Sequence, residues 1–190
     1  MWEKGNGTTP QNFLEESIRV PCAVAWANGG IPSGLESDLL VNHCDLFATL
    51  LDAAKAIPGA DAAKRINSPG RSYLPQLLGR TALDWRNFII FEYGNARMIR
   101  GDGYKLILRY PYRGVNFAHE LYDLKADPRE TANLFDNPQY GQTIKQMSEQ
   151  LNEFFSRYTV PAHDGLDLEH QATATTSSPW MRALKTKKTA

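Results

Sequence analysis

Six residues, Cys22-Ala23-Val24-Ala25-Trp26-Ala27, form an apolar run with no polar alternation, entered through Arg19-Val20-Pro21 and closed by Asn28-Gly29-Gly30. A short apolar run bounded by turn residues has the pattern of a strand buried on both faces, usually in a parallel sheet covered by helices. Such a strand constrains everything around it, because its backbone groups need parallel neighbours. Nothing later in the chain supplies them. The segment before it, Lys4-Gly5-Asn6-Gly7-Thr8, is a Gly/Asn/Thr-rich loop that is costly to order unless other structure packs on it. Both features read as the edge of a larger α/β domain whose remaining strands lie upstream of Met1.

The rest of the chain has a different character. Leu39, Leu40, Phe47, Leu50, Leu51 and Ala54 recur at three- and four-residue spacing, which predicts a helix from Ser37 to about Ala56 with Ser37 as its N-cap. Residues 57–82 are rich in Pro, Gly, Arg and Ser and read as a connector with one helical turn near Leu74–Leu78. Four strands follow, at 88–93, 96–100, 104–110 and 119–124, the first three joined by Gly94-Asn95 and Gly101-Asp102-Gly103. Turns this short join antiparallel neighbours. Asp127-Pro128-Arg129-Glu130 is a turn, and Asn137-Pro138 caps and starts a last helix whose stripe Ile144, Met147, Leu151, Phe154 and Phe155 should lie across the sheet. The expected fold class is α+β, with one residual strand and helix of a main sheet ahead of a four-stranded antiparallel sheet packed by a C-terminal helix. The expected division is 1–82, 83–160 and an extended tail, 161–190, that turns polar and ends in Arg182, Lys185, Lys187 and Lys188.

Balanced charge, 21 basic against 21 acidic residues, argues against nucleic acid as a partner. No run approaches the 18 or so apolar residues of a membrane span, and the first 30 residues lack the pattern of a signal peptide. The two cysteines, Cys22 and Cys44, read as core thiols rather than a disulfide.

Several segments resemble, in order, those of the type I sulfatases of the alkaline phosphatase superfamily. They are Lys4-Gly5-Asn6-Gly7-Thr8-Thr9-Pro10-Gln11-Asn12 running into Glu15-Glu16-Ser17-Ile18-Arg19-Val20-Pro21, then Gly30-Ile31-Pro32-Ser33-Gly34, and Ser37-Asp38-Leu39-Leu40-Val41-Asn42-His43-Cys44-Asp45-Leu46-Phe47-Ala48-Thr49-Leu50-Leu51. Gly70–Gly79, Arg97–Arg100, Tyr104–Ile107 and Glu120–Leu134 continue the series. Ala48 departs from the family pattern, which commonly has proline there. The resemblance covers about residues 1 to 160 and corresponds to the C-terminal portion of such an enzyme.

The resemblance also says what this sequence lacks. The family's formylglycine arises from the Cys or Ser of a C-x-P-x-R or S-x-P-x-R motif. Cys22 and Cys44 are followed by neither the proline nor the arginine, and Ser68-Pro69-Gly70-Arg71 has its proline one place too early. The implied formylglycine and the ligands of the implied calcium ion therefore lie outside this chain. Within it, the resemblance implies that Lys4 reaches the sulfate oxygens, where an ammonium stabilises charge on the leaving group. Gln11 and Asn12 would line the same pocket as hydrogen-bond donors, or cap the turn before the strand. Arg113, in the aromatic and cationic loop 110–118, suits a sugar or aryl ring with anionic groups.

Other chemistry-bearing residues have plainer readings. Glu15, Glu16 and Arg19 form a structural ion-pair and hydrogen-bond knot rather than an acid/base pair. His43 and Asp45 are two apart, which on a helix points them to different faces and suits capping or burial better than metal binding. His119-Glu120 and His163-Asp164 could approach a substrate from the rim. Asn6-Gly7-Thr8 matches a short glycosylation acceptor, a pattern that recurs by chance. The expected partner is a sulfate ester, sugar or aryl, with the complete enzyme periplasmic or secreted by family analogy. The alternatives are a non-catalytic packing module or part of a related phosphodiesterase or phosphonate hydrolase, since fold does not fix the group transferred.

Overall fold

A computed structural model describes residues 13–56, 66–81, 84–112 and 114–170. Its centre is a four-stranded antiparallel sheet in the order β1 (Phe88–Tyr93), β2 (Ala96–Gly101), β3 (Tyr104–Arg109), β4 (Glu120–Asp123). The register follows from the two tight turns: Tyr93 faces Ala96 across the first, and Arg100 faces Lys105 across the second. With side chains alternating in direction, β2 and β3 present Ile99 and Leu106 to one face and Met98 and Ile107 to the other, and all four are buried. A sheet apolar on both faces needs two covers.

One cover is the helix expected from the sequence. Asn137 accepts from the Gln139 amide at 3.0 Å and Pro138 opens a single 3-10 turn, which leads into the 18-residue helix Gly141–Tyr158. Met147 and Leu151 of that helix pack on Ile90, Ile99, Leu106 and Leu121, with Ile144, Phe154 and Phe155 at the margins. The other cover comes from the N-terminal segment. Phe13 is 2% exposed and packs with Ala96, Met98, Ile107 and Tyr122, and Ile18, at the end of the short helix Glu15–Ile18, joins the same cluster. The architecture is α+β, with the sheet held between these two layers.

The expected buried strand at 22–27 is not formed. Residues 21–28 are exposed, with Val24 and Trp26 about 40% accessible, and they lead into a 3-10 turn at Ala27–Gly29. No described strand pairs with them, and an unpaired backbone is tolerated only where water reaches it. The next helix begins later than expected, at His43–Ala53 rather than near Ser37, because Asn42 supplies a capping box: its side chain accepts from the Cys44 and Asp45 amides while Asp45 Oδ2 accepts from the Asn42 amide. The spacing of Asn42 and Asp45 in the resembling motif is thus that of a helix start.

This second helix also inverts the expected burial. Asp45 and Thr49 are buried, whereas Leu46, Phe47 and Leu50 are exposed. The polar face receives the chain at 70–73: Asp45 Oδ1 accepts from the Arg71 amide at 2.9 Å, and Thr49 Oγ1 from the Tyr73 amide at 3.0 Å. Gly70 passes so close that a Cβ there would meet the Cys44 carbonyl oxygen at 2.0 Å. Arg86, just before β1, pairs with Asp45 Oδ2 and ties helix and sheet together. Cys22 and Cys44 are free and exposed, not the core thiols expected. Among the described residues no helix is long and apolar enough to cross a membrane.

Candidate functional site

Lys4, Gln11, Asn12 and Arg113 lie outside the described residues, so the structure speaks through their points of attachment. The first is Phe13, one residue after Asn12. Its carbonyl oxygen accepts from Lys105 Nζ at 2.7 Å. The Lys105 side chain has no exposure and is held further by Glu15 Oε1 and Glu130 Oε1, both at 2.7 Å. Glu130 Oε2 in turn accepts from the Glu15 amide at 2.7 Å. Arg100, which faces Lys105 across the β2–β3 pair, donates to both Glu15 oxygens at 3.3 and 3.4 Å.

The arrangement follows from charge. Two cations directly opposite on one sheet face repel, and the Glu15 carboxylate between them turns that repulsion into two attractions. Burial alone would raise the Glu15 carboxyl, but Lys105 and Arg100 outweigh it and hold the group below the usual carboxylate range. Glu130 adopts a positive φ of 53°, which a non-glycine residue takes up only when surroundings repay the strain. The repayment is its pair of contacts to Lys105 and the Glu15 amide. The turn that presents it is fixed by the Glu130 amide donating to the Asp127 carbonyl at 3.0 Å and by Asp127 Oδ2 accepting from the Thr131 and Ala132 amides.

The knot expected at Glu15, Glu16 and Arg19 therefore exists with different members. Glu15 belongs to it; Arg19 is exposed and takes none of these contacts, and Glu16 leaves a buried Oε2 unpartnered. Lys105 and Glu130 were not singled out in the sequence. The available signal was Lys105 itself, at a position where strand alternation calls for an apolar side chain.

The second point of attachment is the 110–118 loop. Tyr112 and Val115 exchange two backbone hydrogen bonds of 3.0 Å, with Gly114 at φ 73°, which closes a turn in this loop. Val115 and Phe117 are exposed beside it. The loop is anchored by Asn95, whose side-chain amide donates to the Tyr110 carbonyl at 2.6 Å while its own carbonyl accepts from the Tyr110 amide at 2.8 Å.

The remaining candidates serve structure. His119 Nδ1 accepts from the Arg109 amide at 3.0 Å and its ring meets Phe135 edge-on. Glu120 pairs with Arg109 at 2.5 Å and accepts from the Tyr122 hydroxyl at 2.8 Å, and burial together with the Glu120 charge pushes that hydroxyl far up. Asp164, within the segment expected to be an extended tail, is tied back to the sheet. It pairs at 2.7 Å with Arg97, which also pairs with Glu92 at 2.8 Å and lies over the Phe155 ring at 3.8 Å. Burial and the adjacent Asp45 push the Cys44 thiol up, so it is a poor thiolate despite its exposure. Among the described residues no group of three or more His, Cys, Asp or Glu side chains could hold a metal ion, and no metal chemistry is assigned to them. What these residues can do is position neighbouring segments.

A family model described as N-sulphoglucosamine sulphohydrolase, C-terminal, matches residues 11–157. The chain belongs to this family of sulfatase C-terminal regions. It is 28% identical over 163 residues to the N-acetylglucosamine-6-O-sulfatase of Bacteroides thetaiotaomicron, covering 80% of this chain and 28% of that protein. It is likewise 28% identical over 128 residues to the Delta 4,5-hexuronate-2-O-sulfatase of the same organism, covering 63% and 23%. A structure solved in work on glycosaminoglycan metabolism by Bacteroides thetaiotaomicron aligns with a TM-score of 0.51 at 18% identity, covering 66% of this chain and 28% of that one, a likeness of fold. The chain spans about a quarter of the length of these curated relatives.

Proposed function

We propose that this chain is the C-terminal portion of a sulfatase that hydrolyses a sulfate ester of a sugar. The observation that carries the reading is the family match from Gln11 to Arg157, which joins the segment behind Lys4 to the sheet and its covering helix without a break. The relatives named for N-acetylglucosamine 6-O-sulfate and hexuronate 2-O-sulfate favour an amino sugar or uronate as the carrier of the ester.

In this reading residues 1–82 complete the catalytic α/β domain, 83–160 form the antiparallel subdomain, and the exposed Val24, Trp26, Leu46, Phe47 and Leu50 pack against the rest of the protein. Lys4 places its ammonium at the sulfuryl oxygens, where positive charge is worth most as negative charge builds on the leaving oxygen. Gln11 and Asn12 donate hydrogen bonds to the same group, and Arg113 reaches a carboxylate or second sulfate on the sugar from the rim. The nucleophile, formylglycine by family resemblance, and a divalent cation, calcium by the same resemblance, are supplied from outside this chain.

The test is sulfate release by the complete protein from N-acetylglucosamine 6-sulfate and 4-nitrophenyl sulfate, beside phenylphosphonate monoesters. The expected result is hydrolysis of the sulfates, with the 190-residue chain alone inactive. Faster phosphonate cleavage, or turnover by the chain alone, contradicts the reading.

A further inference from the structure

The geometry points to a binding site for an amine-bearing saccharide in the groove between the helix Gly141–Tyr158 and the end of the sheet that carries the β2–β3 turn. The groove has a volume of about 690 Å³, within the range of small-molecule sites, and its floor is the margin of the helix-side core: Phe88, Ile99, Tyr104 and Met147. That floor is preformed. Ile99 and Met147 are buried, and the Tyr104 ring stands edge-on to Tyr140 at 6.0 Å. One wall is the helix stripe Gln146, Glu149, Gln150 and Glu153, whose three- and four-residue spacing keeps these side chains on one side of the helix. Asn87, just before β1, and Asp102, in the β2–β3 turn, stand opposite. From Thr143 to Glu153 the helix advances about 15 Å, so the groove is long enough for more than one sugar ring.

Charge decides what the groove accepts. Elsewhere on this sheet the carboxylates are paired with protein cations: Glu15 and Glu130 with Lys105, Glu92 and Asp164 with Arg97, Glu120 with Arg109. Asp102, Glu149 and Glu153 make no ion pair among the described residues, and no lysine or arginine lines the groove. The Lys125 side chain comes near Gly103 at one end without joining the walls. Three unpaired carboxylates around an apolar floor repel a sulfate ester or a uronate and attract an ammonium group. The amides of Asn87, Gln146 and Gln150 add a carbonyl acceptor and an NH₂ donor each. The walls thus carry an excess of acceptors, which suits a ligand that brings O–H and N–H donors of its own. A sugar with a free amine supplies both, and its C–H face covers the floor. A basic peptide brings the charge without the hydroxyls. Peptide recognition by a sheet also uses an edge, whereas this groove lies on the helix-covered face.

This site goes beyond the sulfatase reading and does not depend on it, so its test reads binding and not sulfate release. In the complete protein, calorimetry at about pH 6 and low ionic strength measures a glucosamine tetramer with free amines, beside its N-acetylated counterpart and trilysine. The free-amine tetramer should bind about 10-fold more tightly than either comparator, and its affinity should fall with added salt. Glu149→Gln combined with Glu153→Gln should weaken that binding about 10-fold with the melting temperature unchanged, since both side chains are exposed. Asp136→Asn, which removes an exposed carboxylate that does not line the groove, should leave the affinity as in the wild type. Trilysine binding as tightly as the tetramer would show a general cation surface and overturn the saccharide site. Tetramer binding that survives the double variant, or a tetramer that does not bind, would overturn it as well.

Discussion

Replacing Lys105 by Met should be among the most destabilising single changes available in this chain. The substitution removes three contacts of 2.7 Å, to the Phe13 carbonyl, Glu15 and Glu130, and fills the space with an apolar side chain of similar length. Glu15 keeps Arg100 at 3.3 Å, whereas Glu130, whose side chain has no exposure, loses its contact with the Lys105 ammonium. Breaking one side of a buried pair costs about 3–5 kcal/mol, most of it the penalty of the charge that remains. At roughly 2–4 °C per kcal/mol for a chain of this size, the melting temperature should drop by about 6–20 °C. The assay is thermal or urea unfolding of Lys105→Met, Glu130→Gln and the double variant at neutral pH. The double variant should lose less than the sum of the singles, with a coupling of about 1–3 kcal/mol. A loss below about 1 kcal/mol, or additive singles, would refute the claim that this pair joins the N-terminal segment to the sheet.

Three further outcomes concern the helix-side core, the helix cap at Asn42 and the Glu15 carboxyl. Leu151→Ala, at a fully buried position between helix and sheet, should cost about 2–5 kcal/mol in urea unfolding. Asn42→Ala removes the side-chain half of the capping box and should cost about 1 kcal/mol, with the loss confined to peptides of the helix His43–Ala53 in hydrogen exchange. Because the Glu15 carboxyl titrates lower in the folded protein than in the unfolded chain, its contribution is present above the unfolded value near ~4.3 and is lost as pH falls through the depressed folded value. Stability measured by urea midpoint should therefore fall with acid below about pH 4.3, and Glu15→Gln should flatten that part of the profile.

The antiparallel sheet and its last helix were legible because local signals decide them. Gly94-Asn95 and Gly101-Asp102-Gly103 fix two tight turns, and Met147 and Leu151 fall on the face that packs, as their spacing requires. The N-terminal third misled for a physical reason: an apolar run states what a segment prefers to bury, not whether a partner is there to bury it. Cys22–Ala27 has no ladder partner among the described residues and stays exposed. The helix after it shows the same limit, since its apolar residues Leu46, Phe47 and Leu50 face outward while Asp45 and Thr49 turn inward. Its start was set by the Asn42–Asp45 box, and Ser37 does no more than accept from the Leu39 amide at 3.4 Å. The Lys105 knot and the Arg97–Asp164 pair join residues 92 and 67 positions apart, which no local pattern reveals.

Burial is shared between two unlike covers. The helix side is apolar, apart from Arg97 stacked on Phe155. The N-terminal side is apolar at Phe13 and Ile18 but ionic at Glu15, Arg100, Lys105 and Glu130. Apolar packing tolerates small slides, whereas a ring of charge-assisted hydrogen bonds specifies one geometry.

The most direct test of the account is Lys4→Ala in the complete protein, assayed on a sulfate ester beside its melting temperature. Loss of one preorganised cation at the developing charge predicts a fall in kcat of about 10²–10³-fold with the melting temperature unchanged. An unchanged kcat would contradict the assignment of Lys4 to the sulfate, and with it the role proposed for this chain.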